Sequence, residues 1–116
     1  MASRDAVDRA LKSGQSVRTP FFRMVYRAGD GPPRVAFLAG RRVGGAVRRN
    51  RARRVLKEAY RTSGVDLPFV ETLVFVAGER APEAPWGELK TAVAAALVRV
   101  SERTGSDGNG KAARAA

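Results

Sequence analysis

Cysteine and histidine are both absent from the 116 residues. That excludes a disulfide framework, a zinc ribbon or finger, a thiol nucleophile and an imidazole general base together. Acidic residues are scarce as well: eleven Asp and Glu stand against 22 Lys and Arg, for a formal charge of +11 and a pI near 11.5. The acids are scattered singly, so the clustered carboxylates of a metal-dependent nuclease are missing. "GRRVGG" is followed by no "GK[ST]", which rules out a Walker-type phosphate loop, and no Ser or Thr hydroxyl has a plausible base partner. No apolar run approaches the roughly 20 residues of a bilayer span, and "MASRDAVDRALKSG" lacks a signal-peptide core. A cytoplasmic protein with no membrane attachment and no small-molecule substrate is expected, and the residues taken alone describe a binder.

Of the residues present, 44% are hydrophobic, which is globular composition, and the length suits one domain with a modest core. The charge balance calls for a polyanionic partner, most often nucleic acid. The bland alternative is a generically basic protein, and patch geometry decides between them.

Residues 3–12 fit a short helix with Ser3 as N-cap and Val7, Ala10 and Leu11 on one face, ended by Gly14. "SVRTPFFRMVYR" reads as extended chain, with a short strand before Pro20 and a longer one over 21–27, closed by the turn "AGDGPP". "RVAFLAG" reads as its partner strand, so 21–39 is expected to be a hairpin. A helix over about 46–62 follows the glycine loop, and "ETLVFVA", 71–77, is apolar enough for a central strand covered on both faces. A last helix places Trp86, Leu89, Val93, Ala96, Leu97 and Val100 on one stripe. The expected fold is a single α+β domain over residues 1–103, a two-layer sandwich of order αβββαβα. Residues 104–116, with no core residue larger than Ala, are expected to be a disordered tail.

Charge is not spread evenly over this order. From Arg34 to Arg61 there are ten basic residues and one acid, Glu58, so the segment carries +9 of the +11. "AVRRNRARR", 46–54, alone holds five arginines. On a helical wheel of about 100° per residue, Ala52, Val55, Leu56, Ala59 and Tyr60 form an apolar arc, and Asn50, Arg51, Arg53, Arg54, Lys57 and Arg61 lie almost opposite. Arg48 and Arg49 extend the positive surface toward Arg41 and Arg42. Solubility alone is usually served by mixed signs, whereas arginine's planar fork suits bidentate phosphate contacts and stacking on bases. Crowded like charges also repel and oppose the helix dipole near its N-terminus, a cost that arriving phosphates relieve. A weaker signal lies in the strand 21–27, where Phe22, Met24 and Tyr26 read as core. Phe21, Arg23, Val25 and Arg27 mix aromatic and basic groups as a sheet holding single-stranded RNA does. An edge strand that carries Arg to deter aggregation is the alternative.

The stretch "RRVGGAVRRNRARRVLKEAYR", 41–61, resembles the signature of the bacterial ribonuclease P protein component. That family shows two basic residues, a hydrophobic residue, Gly, a small or polar residue, Ala-Val, then Arg-Asn-Arg and a basic pair one residue later. Arg41, Arg42, Gly44, Ala46, Val47, Arg49, Asn50, Arg51, Arg53, Arg54, Lys57 and Glu58 all fit. The resemblance implies a mixed sheet with a left-handed βαβ crossover, the opposite of the general handedness rule. It also implies that the chain is the protein subunit of a ribonucleoprotein endonuclease whose RNA, not this polypeptide, carries the catalytic site. Mg2+ would be held mainly by that RNA and not tightly by the protein, and the partners would be ribonuclease P RNA and precursor tRNA, whose 5′ leader is removed. By the same resemblance the RNA subunit is met by Arg41, Arg42, Arg48, Arg49, Asn50, Arg51, Arg53, Arg54, Lys57 and Arg61. The leader is held in a cleft between the first helix and a sheet face, lined by Val7, Leu11, Phe21, Arg23, Val25 and Arg27. Members usually carry aromatic residues where Val7 and Leu11 stand, so apolar contact replaces stacking there or the work shifts to Phe21 and Phe22. Two rival readings are a ribosomal protein that buttresses ribosomal RNA and a stand-alone protein nuclease; the Arg-Asn-Arg signature speaks against the first and the missing catalytic side chains against the second.

Overall fold

In the computed structural model, which describes residues 2–105, the most apolar strand organises the rest. Strand β4, Val70–Ala77, is buried at six of its eight positions and is paired along both edges. Strand β2, Phe22–Ala28, runs antiparallel on one side, with Met24 opposite Phe75, and strand β3, Arg34–Leu38, runs parallel on the other, with Phe37 opposite Phe75. Strand β1, Gln15–Arg18, completes the order β1-β2-β4-β3 by pairing antiparallel with β2. The hairpin expected over 21–39 therefore does not form, because β4 lies between its two strands. A strand as apolar as β4 must be shielded on every side, whereas β3, with one buried position in five, tolerates an edge.

The 16-residue helix α2, Ala46–Arg61, links the parallel strands β3 and β4. It packs with helix α3, Trp86–Gly105, on the face that carries Phe22, Met24, Tyr26, Leu73 and Phe75. The Phe75 ring is the meeting point: Phe37, Phe22 and Tyr60 lie with ring centroids 5.0, 5.6 and 5.7 Å from it. One side chain from each of β2, β3 and α2 thus locks onto β4. Helix α1, Arg4–Ser13, lies on the opposite face, with Val7 and Ala10 against Val25, Val74, Leu38 and Val76. Ser3 caps it by accepting the Ala6 N–H at 3.2 Å. Gly14 ends it by close approach, since a Cβ there would stand 2.5 Å from the Ala10 carbonyl oxygen and 2.7 Å from that of Tyr26.

Two expectations for α3 need correction. Trp86 is not core: it is 43% exposed, at the first turn of the helix, with the Lys90 ammonium 5.7 Å from its ring centroid. The helix also runs past 103, with Thr104 buried and its hydroxyl donating to the Val100 carbonyl at 2.8 Å. The tail expected from 104 therefore overlaps the helix at 104 and 105, and 106–116 lie outside the described residues. Among the described residues no helix is long and apolar enough to cross a membrane.

Truncating Phe75 to Ala removes the common contact of three elements and is expected to cost about 3–5 kcal/mol in urea unfolding. Val47→Ala, at a position 82% exposed in the first turn of α2, should stay within about 0.5 kcal/mol of the parent.

Candidate nucleic-acid interface

Helix α2 presents its charge because its back is anchored. Ala52, Leu56 and Ala59 are fully buried, and Arg54, Lys57 and Arg61 are exposed on the other side. A 3₁₀ turn, Arg41–Val43, and Gly44 lead into it. Gly44 has φ 133°, a left-handed conformation that side chains resist, and a Cβ there would lie 2.7 Å from Arg48 Cδ. Gly45 offers no side-chain cap, so the first N–H groups of α2 remain open to an acceptor.

The ten cationic and polar residues read as an RNA-subunit surface divide into two groups. Arg48 is tied within the chain: its Nε donates to the Val43 carbonyl at 2.8 Å, one terminal nitrogen donates to Glu83 and the other to the Glu79 carbonyl at 3.2 Å. Arg51 Nε donates to the Pro82 carbonyl at 2.7 Å, and Arg61 pairs with Glu58. Arg42 and Glu79 are 3.4 Å apart, both largely exposed, a pair of little energetic weight. In the second group, Arg41, Arg49, Arg53, Arg54 and Lys57 form no ion pair with an acid among the described residues. Arg53 instead donates to the Asn50 side-chain oxygen, which aligns two adjacent polar groups on the exposed face. The segment 78–85 thus clamps the first turns of α2 while leaving the outer arginines unpaired.

The Arg48 hydrogen bond holds the Glu83 carboxyl below the usual carboxylate range and raises the guanidinium above its own. Because the carboxyl value is depressed in the fold, the tie contributes above the unfolded carboxylate range and is lost as pH falls through the depressed value. It is intact at neutral pH.

On the opposite sheet face, the residues read as leader-binding are only partly brought together. Arg23, Val25 and Arg27 share this face with α1, but Val25 is 2% exposed beneath Ala10, and Arg27 Nε lies 3.7 Å from a Glu71 oxygen. Leu11 is half-exposed and Val7 partly buried. Phe21 lies elsewhere: it is buried in the main core, with the Arg80 guanidinium 5.3 Å from its ring centroid. It precedes β2, so strand alternation does not govern its direction.

The structure adds Arg4, Phe37 and Leu38, which sequence reasoning missed, to residues it had named. A groove of about 570 Å³ runs between α1, the β3 edge and α2, lined by Arg4, Val7, Phe37, Leu38 and the trio Arg53, Arg54 and Lys57. Its floor is apolar and its rim cationic. The Ala2 N–H donates to the Val35 carbonyl at 3.2 Å, which holds the start of α1 beside β3. No local pattern links α1 to β3 or to the middle turns of α2. Among the described residues no three acidic side chains gather into a group that could hold a metal ion.

This basic helix on a β1-β2-β4-β3 sheet coincides with a match of residues 1–101 to the family model described as Ribonuclease P. The chain belongs to the ribonuclease P protein family. It is 35% identical over 105 residues to the ribonuclease P protein component of Brucella melitensis, covering 80% of this chain and 74% of that one. To the component of Dehalococcoides mccartyi it is 37% identical over 79 residues, 63% of this chain and 64% of that relative's length. Among solved structures, the RNase P protein of Staphylococcus aureus superposes with TM-score 0.68 at 16% identity, covering 85% of this chain and 92% of that one. The RNase P protein from Thermotoga maritima gives TM-score 0.67 at 22% identity, over 86% and 91%. At these identities the structural matches speak for a shared ribonuclease P protein fold.

Gly44→Ala places a side chain in a left-handed conformation and against Arg48. It should destabilise the protein by about 1–3 kcal/mol in denaturant unfolding.

Proposed function

We propose that this member of the ribonuclease P protein family is the protein subunit of ribonuclease P, binding a catalytic RNA and the 5′ leader of precursor tRNA. The observation that carries this reading is the unpaired outer face of α2. Arg49, Arg53, Arg54 and Lys57 crowd one helix with no acidic complement, a costly arrangement that a phosphate backbone relieves. Arg49, Asn50, Arg53 and Arg54, with Arg41 beside the glycine loop, form the surface for the RNA subunit. Arg48 and Arg51 also set the helix, through the Val43, Glu79 and Pro82 carbonyls and the Glu83 carboxylate.

The leader is assigned to the groove between α1 and α2, where Val7, Phe37 and Leu38 supply apolar contact to bases and Arg4 and Lys57 reach its phosphates. Leu11 and Arg23 extend this surface along the same sheet face, and Val25 supports α1 from below. By the same family reading, bond cleavage belongs to divalent ions, Mg2+ in the first place, held by the RNA, and the scattered acids of this chain accord with that. The protein's part is to bind and orient.

The reading is tested by reconstitution. The chain should lower the magnesium concentration at which a bacterial ribonuclease P RNA cleaves precursor tRNA; no change in that requirement rejects it. Within the complex, Arg49→Gln or Arg53→Gln should reduce the slope of log affinity for the RNA subunit against log salt by about 0.7–0.9. Arg48→Gln should change that slope less, because all three of its guanidinium nitrogens already donate within the chain.

A further inference from the structure

We propose that Glu79 and Glu83 are specificity-determining residues for RNA binding: their carboxylates fence one flank of α2 and turn away phosphates that a poorly fitting RNA would present there. The inference rests on the RNA-subunit reading above and adds to it what keeps other RNA off the same helix.

The two flanks of α2 differ in charge. Arg51 and Arg53 lie about 200° apart around the helix, so each marks one flank. On the Arg53 side is the groove toward α1, whose lining holds Arg4, Arg53, Arg54 and Lys57 and no acid. On the Arg51 side is the segment 78–85, whose Pro82 carbonyl accepts from Arg51. Acids gather here. Glu79 stands 3.4 Å from Arg42, and Glu83 pairs with Arg48. Glu58, about two helical turns along the same flank from Arg51, pairs with Arg61. The chain has eleven acids in all, and the three beside its most basic helix all lie away from the groove.

Stability does not account for this placement. Exposed ion pairs contribute little to it, and the Glu79 and Glu83 side chains are 62% and 66% exposed. Arg48 is in any case also held by the Val43 and Glu79 carbonyls. The effect that remains is electrostatic. An RNA that binds without fit does so through charge alone and gains from every cation it can reach. Arg42 and Arg48, left bare, would add two more. Each carboxylate lowers that gain by holding a guanidinium and by repelling a phosphate brought near it. An RNA shaped to the outer face and the groove side keeps its phosphates on Arg49, Arg53, Arg54 and Lys57, and salt screens it from the fence. Discrimination of this kind comes from a repulsive element set against the wrong partner.

The test measures binding of the full chain to a bacterial ribonuclease P RNA and to an unrelated folded RNA of similar length, each across a range of salt. Glu79→Gln combined with Glu83→Gln should raise affinity for the unrelated RNA about tenfold and steepen its slope of log affinity against log salt by about 1.4–1.8, two further phosphate contacts. Affinity for the ribonuclease P RNA should rise by less than about threefold. Glu79→Gln alone breaks only an exposed pair and leaves the Glu79 carbonyl on Arg48. It should melt with the parent and show the same preference at smaller size; without that preference the fence is overturned, however the double variant folds. Asp30→Asn, in the turn between β2 and β3 at the far end of the sheet from residues 78–85, adds the same charge and should change either affinity by less than about twofold. Equal gains on both RNAs, a gain from Asp30→Asn matching that from Glu79→Gln, or no gain on the unrelated RNA also overturns the proposal. Parent protein that binds the ribonuclease P RNA no better than the unrelated one fails the RNA-subunit reading itself, a result separate from any behaviour of the variants.

Discussion

The whole interface depends on the grip of α2's apolar back on the sheet. Like-charge neighbours a helical turn apart, such as Arg49 with Arg53 and Arg53 with Lys57, each cost a few tenths of a kcal/mol, about 0.2–0.5. Burying a single leucine side chain contributes about 1.5–3 kcal/mol, and Leu56 is completely buried between Ala52 and Ala59. Burial therefore outweighs repulsion, and the helix can afford an outward face that no isolated peptide of this sequence would hold. The Tyr60, Phe37 and Phe22 rings gathered on Phe75 extend that grip to the strands on both sides of β4.

A second constraint organises the charges themselves. The connection between β4 and α3 accepts hydrogen bonds from Arg48 and Arg51 through the Glu79 and Pro82 carbonyls and the Glu83 carboxylate. Two arginines thereby also act as fasteners that fix the angle at which α2 leaves the glycine loop. Gly44 permits this twice over, by adopting a positive φ and by leaving room for the Arg48 side chain. The remaining cations keep their binding capacity because the acids close to α2 are already engaged with Arg42, Arg48 and Arg61.

Much of this was legible in the residues. Ser3 as a cap, the limits of α2, the centrality of "ETLVFVA" and the stripe of α3 all follow from local pattern, and each is present. The hairpin assigned to 21–39 failed because adjacency in sequence suggested pairing, while the need to shield β4 on both edges placed it between β2 and β3. Helical phase points Trp86 at the core, yet in the first turn of α3 that phase alone does not bring a neighbour over it, and Lys90 covers its ring instead. Alternation groups Phe21 with Arg23 and Val25, but in the structure that alternation begins one residue later, at the start of β2.

By itself the sequence determined the family, the excess of positive charge and the amphipathic helix that carries most of it, because signature, charge sign and helical period are properties of the chain read locally. Only the tertiary structure decided which arginines are spent inside the protein and which remain outside, and that Glu79 and Glu83 line one flank of α2 while the other faces a groove rimmed by Arg4 and Lys57. Those are relations between segments far apart in sequence, set by strand order and by the packing of α1 against β3, and no periodicity along the chain encodes them.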